Sequence, residues 1–467
     1  MAPGEASGRP RENAVLAWAV IVSQFAPPFM FSGVAVALPS MGAELGAGAT
    51  VLGLVETLFL AGHLGFLLPA GRLADASDKR ALYKVGLLGF AVSSTLIAVV
   101  SSMPVILLLR FLQGVTGSVF AATGPAILAD IVPSGRRGQA YGRSMGAIYS
   151  GLTLGPITAG LVSDFFGWRA VFGAAAAVLL VGYFIIRAML PSSWRWPGRS
   201  VHWPSAALVV SAVLCLVAGA SLIRNGPLGT ACLAGGVGLA GMFLAVQRRL
   251  PQPLVDVDAL MRNRVLRNAL LMQLLLYVNA FSSTFMLSIY MQVALGQSAR
   301  VAGQVLAIGT VMMAILAPLA GRLADRYPPR LLSIAGVAAV LVATLMAMRL
   351  SVRSSLTAVT LVLAVQGLGF ALFSSPNMTI IMSSGAKGTM SLASALGAKA
   401  RALGMVIGML VTAVLVSLEI GNEPIARHPD RFIHVMTTAF VVLAVLTAAA
   451  LAVGLVTRAR RWPAAAE

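Results

Sequence analysis

Apolar runs alternate with short polar stretches along almost the whole chain, beginning near Val15 and ending near Val456. A hydrocarbon core about 30 Å thick is crossed by about 20 apolar residues in a helix, at about 1.5 Å per residue. Membrane strands would show alternating segments of about 10 residues instead, a pattern not seen here. The runs therefore predict an all-α membrane protein. Fourteen spans are placed near 14–38, 50–70, 82–101, 104–126, 139–162, 168–188, 205–223, 228–247, 268–292, 302–320, 331–349, 355–378, 395–418 and 433–455. Residues 1–13 form a polar leader before a first run too long for a signal-peptide core, so an uncleaved anchor is expected.

Composition agrees, with 58% hydrophobic and 10% charged residues, against about 45–50% and about 25% in soluble domains. The net charge of +19 raises the alternative of a nucleic-acid partner. Sorting by side settles that question. With both termini cytoplasmic, 26 of the 34 Lys and Arg fall on the cytoplasmic side, Lys399 and Arg401 among them. This is the positive-inside bias, and nucleic acid is not expected. Cys215 and Cys232 lie in different spans at unmatched depths, which indicates neither disulfide nor metal site. No cofactor, enzyme machinery or obligate protein partner is implied.

The polar loops repeat. "PAGRLADASDKR" at 69–80 returns as "PLAGRLADRYPPR" at 318–330, so Gly71 and Gly321 are 250 apart. Gln113 and Gly114 are answered by Gln366 and Gly367, and Gly151 and Gly155 by Gly404 and Gly408, all 253 apart. A duplicated chain follows. After the leader, one six-helix half covers 14–190, a linker with two extra spans covers 191–267, a second half covers 268–457, and a tail covers 458–467. Gly71 and Gly321 are expected where a tight turn or close helix approach is needed. Asp75 is expected in the turn facing the start of the next helix, where the helix dipole favours a carboxylate.

Taken together, these signatures resemble the major facilitator superfamily, and within it the fourteen-span drug:proton antiporter branch. The loop signature matches Gly71, Leu73, Ala74, Asp75, Lys79 and Arg80, with Ala76 and Asp78 replacing a family Arg and Gly. Its weaker copy matches Gly321, Leu323, Ala324, Asp325, Arg326 and Arg330. Arg110, Gln113 and Gly114 match the fourth-span signature. Gly142, Gly151, Gly155, Pro156 and Gly160 match the antiporter signature of the fifth, with Ala159 in place of a glycine. The resemblance implies two six-helix bundles plus two linker helices in a bacterial inner membrane, rocking to export small molecules against protons. It implies that the cluster of Gly71, Arg72, Asp75, Lys79, Arg80 and Asp130, with Gly321, Asp325 and Arg326, latches the halves together. It also implies an acid in the first span, where this chain has Met30.

Charge inside the spans is scarce and therefore informative. Arg110 is costly there, by at least about 2.5–3.5 kcal/mol, and is functional by default. The second half has Leu363 at the matching position, so packing alone does not require an arginine. Glu56 is the one acid well inside a span, at a depth of about 9–10 Å, similar to Arg110. His63 follows two turns on, nearly on the same face. Glu56, His63 and Arg110 are the proton-coupling candidates. Gln24, Met30, Gln113, Gln273, Tyr277, Asn279, Gln366 and Asn377 are candidates for substrate contact, with interhelical hydrogen bonding the alternative for each polar one. The expected cargo is hydrophobic or amphipathic and cationic. A transporter of a narrow endogenous metabolite or lipid, with different coupling, is the second reading, and a membrane-embedded enzyme or sensor the third.

Overall fold

A computed structural model describes residues 10–47, 49–189, 201–222, 227–251, 253–297, 299–384, 390–420 and 429–456. The described chain is helical throughout. Its helices are α1 (Pro10–Ser23), α2 (Ala26–Leu45), α3 (Ala49–Ala76), α4 (Lys79–Val99), α5 (Met103–Ile131), α6 (Arg137–Phe166), α7 (Trp168–Met189) and α8 (Trp203–Leu222). They continue as α9 (Pro227–Arg249), α10 (Val257–Arg262), α11 (Arg264–Val293), α12 (Ala299–Arg326), α13 (Pro329–Ala347), α14 (Leu356–Ser384), α15 (Met390–Ile420) and α16 (Pro429–Val456). Among the described residues, twelve stretches are long and apolar enough to cross a membrane. The two remaining expected spans fall on α8 and α15. The first expected span is split between α1 and α2, because Pro27 and Pro28 lack the N–H a continuous helix needs and open α2 instead.

The chain forms two compact units. The first comprises residues 1–140 and 150–263 with the described start of α15, residues 390–399; the second comprises 141–149, 264–384 and the chain from Ala400. Residues 141–149, in the first half of α6, thus belong with the second unit, and the start of α15 with the first.

In the first unit, α3 and α5 meet through glycines. A Cβ on Gly114 would stand 2.1 Å from the Phe59 carbonyl oxygen, and one on Gly62 2.4 Å from that of Phe111. On the other side of α5, Gly86 of α4 lies against the Thr116 oxygen and the Phe120 nitrogen. The second unit repeats these contacts. Gly367 of α14 lies against the Gly309 oxygen of α12, and Gly336 of α13 against the Gly369 oxygen and the Phe373 nitrogen. These partners are the residues 250 or 253 positions on, so the duplicated glycines do the same work in both places: they let backbones approach where a side chain would not fit. A cluster of Met286, Leu287, Tyr290, Val362, Phe432 and Phe440 fills the second unit's core.

The two extra helices are not a loose insert. Leu68 of α3 packs with Ala206 and Val209 of α8 and Phe243 of α9, and Leu392 and Leu396 of α15 lie against the same cluster.

Candidate functional site

Arg110 sits on α5 with none of its side chain exposed, and Glu56 on α3 is 19% exposed. The guanidinium donates to the Val55 carbonyl at 3.1 Å, to Gln113 Oε1 at 2.6 Å and to Glu56 Oε1 at 3.1 Å. Gln113 Nε2 in turn donates to Ser94 Oγ at 2.7 Å. The arginine is therefore compensated in charge and in hydrogen bonds, as a buried cation must be. The other oxygen, Glu56 Oε2, is buried without a hydrogen-bond partner among the described residues. His63 lies farther along α3, with Phe59 between. The Phe59 ring stacks on the imidazole at 6.1 Å, and the Arg110 guanidinium stands 4.5 Å over its centroid.

The charged loop differs from the sequence reading in two ways. Gly71 and Asp75 lie inside α3 rather than in a turn, because that helix runs to Ala76. The residue that caps α4 is Asp78, which accepts from the Arg80 N–H at 2.9 Å. Asp75 faces another helix altogether. Its two oxygens accept from the backbone N–H groups of Ser391 and Leu392, at 2.9 and 2.8 Å, at the start of α15. Gly71 makes room for this, since a Cβ there would be 2.6 Å from Ala395 Cβ and 2.9 Å from the Ser391 oxygen. Lys79 pairs with Asp130 at 2.6 Å. Arg72 and Arg80 make no ion pair among the described residues.

The second copy is built differently. Gly321 lies in α12, where its Cα is 2.9 Å from the position a Gly142 Cβ would take. Pro328 and Pro329 start α13 cleanly. Arg330 donates to the Gly454 and Leu455 carbonyls at 3.2 and 2.7 Å, a cation at the C-terminal end of α16. Asp325 is half-buried and Arg326 exposed.

On α6, Gly151 and Gly155 pack against the Phe25 and Phe29 carbonyls, and Gly404 and Gly408 on α15 pack against those of Leu274 and Val278. Pro156 and Gly160 lie within an unbroken α6. Of the substrate-contact candidates, Met30 is fully buried. Gln24 donates to the Phe120 carbonyl at 3.3 Å. Asn279 donates to Thr344 and Thr447, at 2.9 Å each, and accepts from Gln366 at 3.2 Å. Asn377 donates to Gln273 at 2.8 Å. Most of these amide groups are taken up by neighbours, while Asn377 Oδ1 is buried without a hydrogen-bond partner among the described residues. Tyr277 is different: its hydroxyl meets that of Tyr149 at 2.8 Å, and the Arg401 guanidinium lies 6.0 Å from its ring centroid.

Several residues were not legible as site residues. Lys399 and Arg401 were sorted to the cytoplasmic rim because the apolar run starts near 395. The helix begins by Met390, so both lie well inside it, and Lys399 is only 8% exposed. Tyr149 carries no motif. Glu44, at the end of α2, accepts from Trp168 Nε1 at 2.7 Å and pairs with Arg169. The Arg169 guanidinium and the indole N–H hold its carboxyl below the ordinary glutamate range.

The family model "Major Facilitator Superfamily" matches residues 20–254 and 269–466. The chain belongs to the major facilitator superfamily. Among curated members, "Riboflavin transporter RibZ" of Clostridioides difficile is 24% identical over 74% of this chain and 76% of its own. "Tetracenomycin C resistance and export protein" of Streptomyces glaucescens is 27% identical over 85% of this chain and 74% of its own. Across three of the curated relatives the aligned region spans 54 to 76% of their length. In fold, the chain is similar to the solved structure "human organic anion transporter MFSD10 (TETRAN)", with a TM-score of 0.65 and 16% identity over 94% of this chain and all of that one. This major facilitator chain is a multi-pass membrane transporter and not an enzyme.

Proposed function

We propose that this transporter exports hydrophobic or amphipathic small molecules in exchange for protons, by alternating access, from a bacterial inner membrane with both termini cytoplasmic. The observation that carries the reading is Glu56: a buried carboxylate with one oxygen on Arg110 and the other without a partner among the described residues. A coupling group must gain and lose a proton inside the membrane field, where one charge is worth about 2.3 kcal/mol per 100 mV. Oε2 is the atom available to take that proton. Protonation would weaken the pull on Arg110 and loosen its hold on α3, leaving the bond to the Val55 carbonyl, and so link proton occupancy to helix position. Met30 offers no acid at the usual first-span site, which leaves the task to Glu56. His63 stands beyond Phe59 and serves as a secondary acceptor.

Asp75 is read as one half of a latch. Its carboxylate joins the first repeat to the helix start of the second and holds one of the alternating states. The resistance and export name of the Streptomyces relative supports export of foreign compounds. The name of the riboflavin relative supports a second reading, one endogenous metabolite.

The test is efflux from proteoliposomes against an imposed pH gradient, over a dye and metabolite panel. Glu56→Gln is expected to abolish gradient-driven export while still inserting and binding cargo, and His63→Ala to cost less. Wild-type export by Glu56→Gln would sink the coupling assignment. Transport of a single metabolite and no dye would favour the narrow reading.

A further inference from the structure

Among the described residues, the charges inside the spans do not balance. Glu56, inside its span, is used on Arg110, and Glu44, at the exposed end of α2, on Arg169. Lys399 Nζ is buried with no hydrogen-bond partner among the described residues, and neither Lys399 nor Arg401 pairs with a carboxylate there. The two project from α15 about 200° apart, Lys399 in the first unit and Arg401 in the second.

Within the second unit Arg401 has well-defined surroundings. It lies eleven residues beyond Met390 on α15, while Tyr149 is twelve beyond Arg137 on α6 and Tyr277 thirteen beyond Arg264 on α11. At 1.5 Å per residue these positions are about 16–20 Å from their helix ends, near mid-membrane. The guanidinium donates to Met145 Sδ at 3.9 Å and stands at the edge of the Tyr277 ring face. A thioether is a weak acceptor, and a guanidinium has five N–H donors, so the strongest donors here have no strong acceptor among the described residues. Arg401 keeps partial exposure, whereas Tyr149 and Tyr277 are buried and joined hydroxyl to hydroxyl. A reachable fork of N–H groups beside a phenol pair is complementary to an oxyanion. Met145, soft and unbranched, suits an apolar body next to it.

We propose that Arg401, supported by Tyr149 and Tyr277, is the anion-recognising element of a substrate site in the second unit, and that the cargo is an amphipathic organic anion. The proposal replaces the cationic cargo expected from the sequence and rests on the exporter reading for its use in transport. A cation would meet a guanidinium with no carboxylate partner among the described residues, and like charges in a low dielectric repel strongly.

The experiment uses two dyes that share a xanthene body and differ in charge, anionic fluorescein and cationic rhodamine 123. Saturable binding to the purified full chain is read by fluorescence anisotropy without any pH gradient. Fluorescein is expected to bind at least about tenfold more tightly than rhodamine 123. Arg401→Gln is expected to lose about tenfold in fluorescein affinity and leave rhodamine 123 unchanged, as one charged hydrogen bond implies. Arg401→Lys keeps the charge without the fork; with about a threefold loss for fluorescein alone, it reads the same point if the glutamine variant is recovered only as aggregate. Equal losses for both dyes, tighter rhodamine binding, or no saturable fluorescein binding overturns the proposal. Arg401-dependent fluorescein binding without gradient-driven efflux would retain this site and refute the exporter reading. Efflux without charge selection would do the reverse.

Discussion

Asp75 and Asp325 occupy matching places in the two repeats, and Asp75 receives two main-chain N–H groups from a helix start. Charge-assisted bonds of that kind contribute about 1.5–3 kcal/mol each. Asparagine offers one acceptor oxygen, so Asp75→Asn leaves one N–H unmet and removes the charge at the dipole. Export is expected to slow at least about tenfold, and by less than about threefold for Asp325→Asn, with both proteins folded by size-exclusion chromatography. Equal losses in initial efflux rate would show that the two copies share one role. The sequence pointed to Asp75 through its repetition and its charge. It did not name the partner, because a carboxylate on main-chain N–H groups leaves no mark in the side chains of Ser391 and Leu392. Arg401 and Lys399 were hidden for another reason: a helix start misjudged by a turn turns intramembrane cations into rim cations.

At the scale of helices, the duplicated glycines gave the packing away. Gly114 and Gly367 are steric holes filled by the carbonyls of Phe59 and Gly309. A methyl group at Gly114 would drive α3 and α5 apart, and overpacking of this kind costs about 1–3 kcal/mol. Gly241 on α9 has nothing within 4 Å of where a Cβ would stand, so an alanine there removes only backbone freedom, a gain of about 0.5–1 kcal/mol. Thermal unfolding in detergent is expected to fall by several degrees for Gly114→Ala and to hold or rise for Gly241→Ala. A tolerated Gly114→Ala would mean that α3 and α5 can separate freely. The spans themselves were legible because run length and composition determine them. The break between α1 and α2 has its cause in the sequence too, since Pro27 and Pro28 allow no continuous helix. The pairing of Glu56 with Arg110 was anticipated from equal depth, but Phe59 between Glu56 and His63 was not, since depth says nothing of what stands between two side chains.

For the molecule as a whole, α8 and α9 interrupt the duplication and still pack on α3 and the start of α15. Lipid tails are as apolar as leucine, so uncovering Leu68 or Leu396 within a bilayer loses packing and not hydration free energy. Joining the chain across residues 203–249 is therefore expected to leave an inserted protein whose unfolding temperature is lower by several degrees and whose export is reduced. Loss of all folded protein on that deletion would make the pair integral to the fold. The Asp75 contact has a consequence for how such a molecule can vary over generations. Its receiving side is main chain, which every residue except proline supplies, so any change at positions 391 and 392 that still fits their packing leaves the two N–H donors in place. If the contact is the latch proposed above, heritable change in the timing of the transport cycle is channelled through Asp75 and through Gly71, which makes room for it.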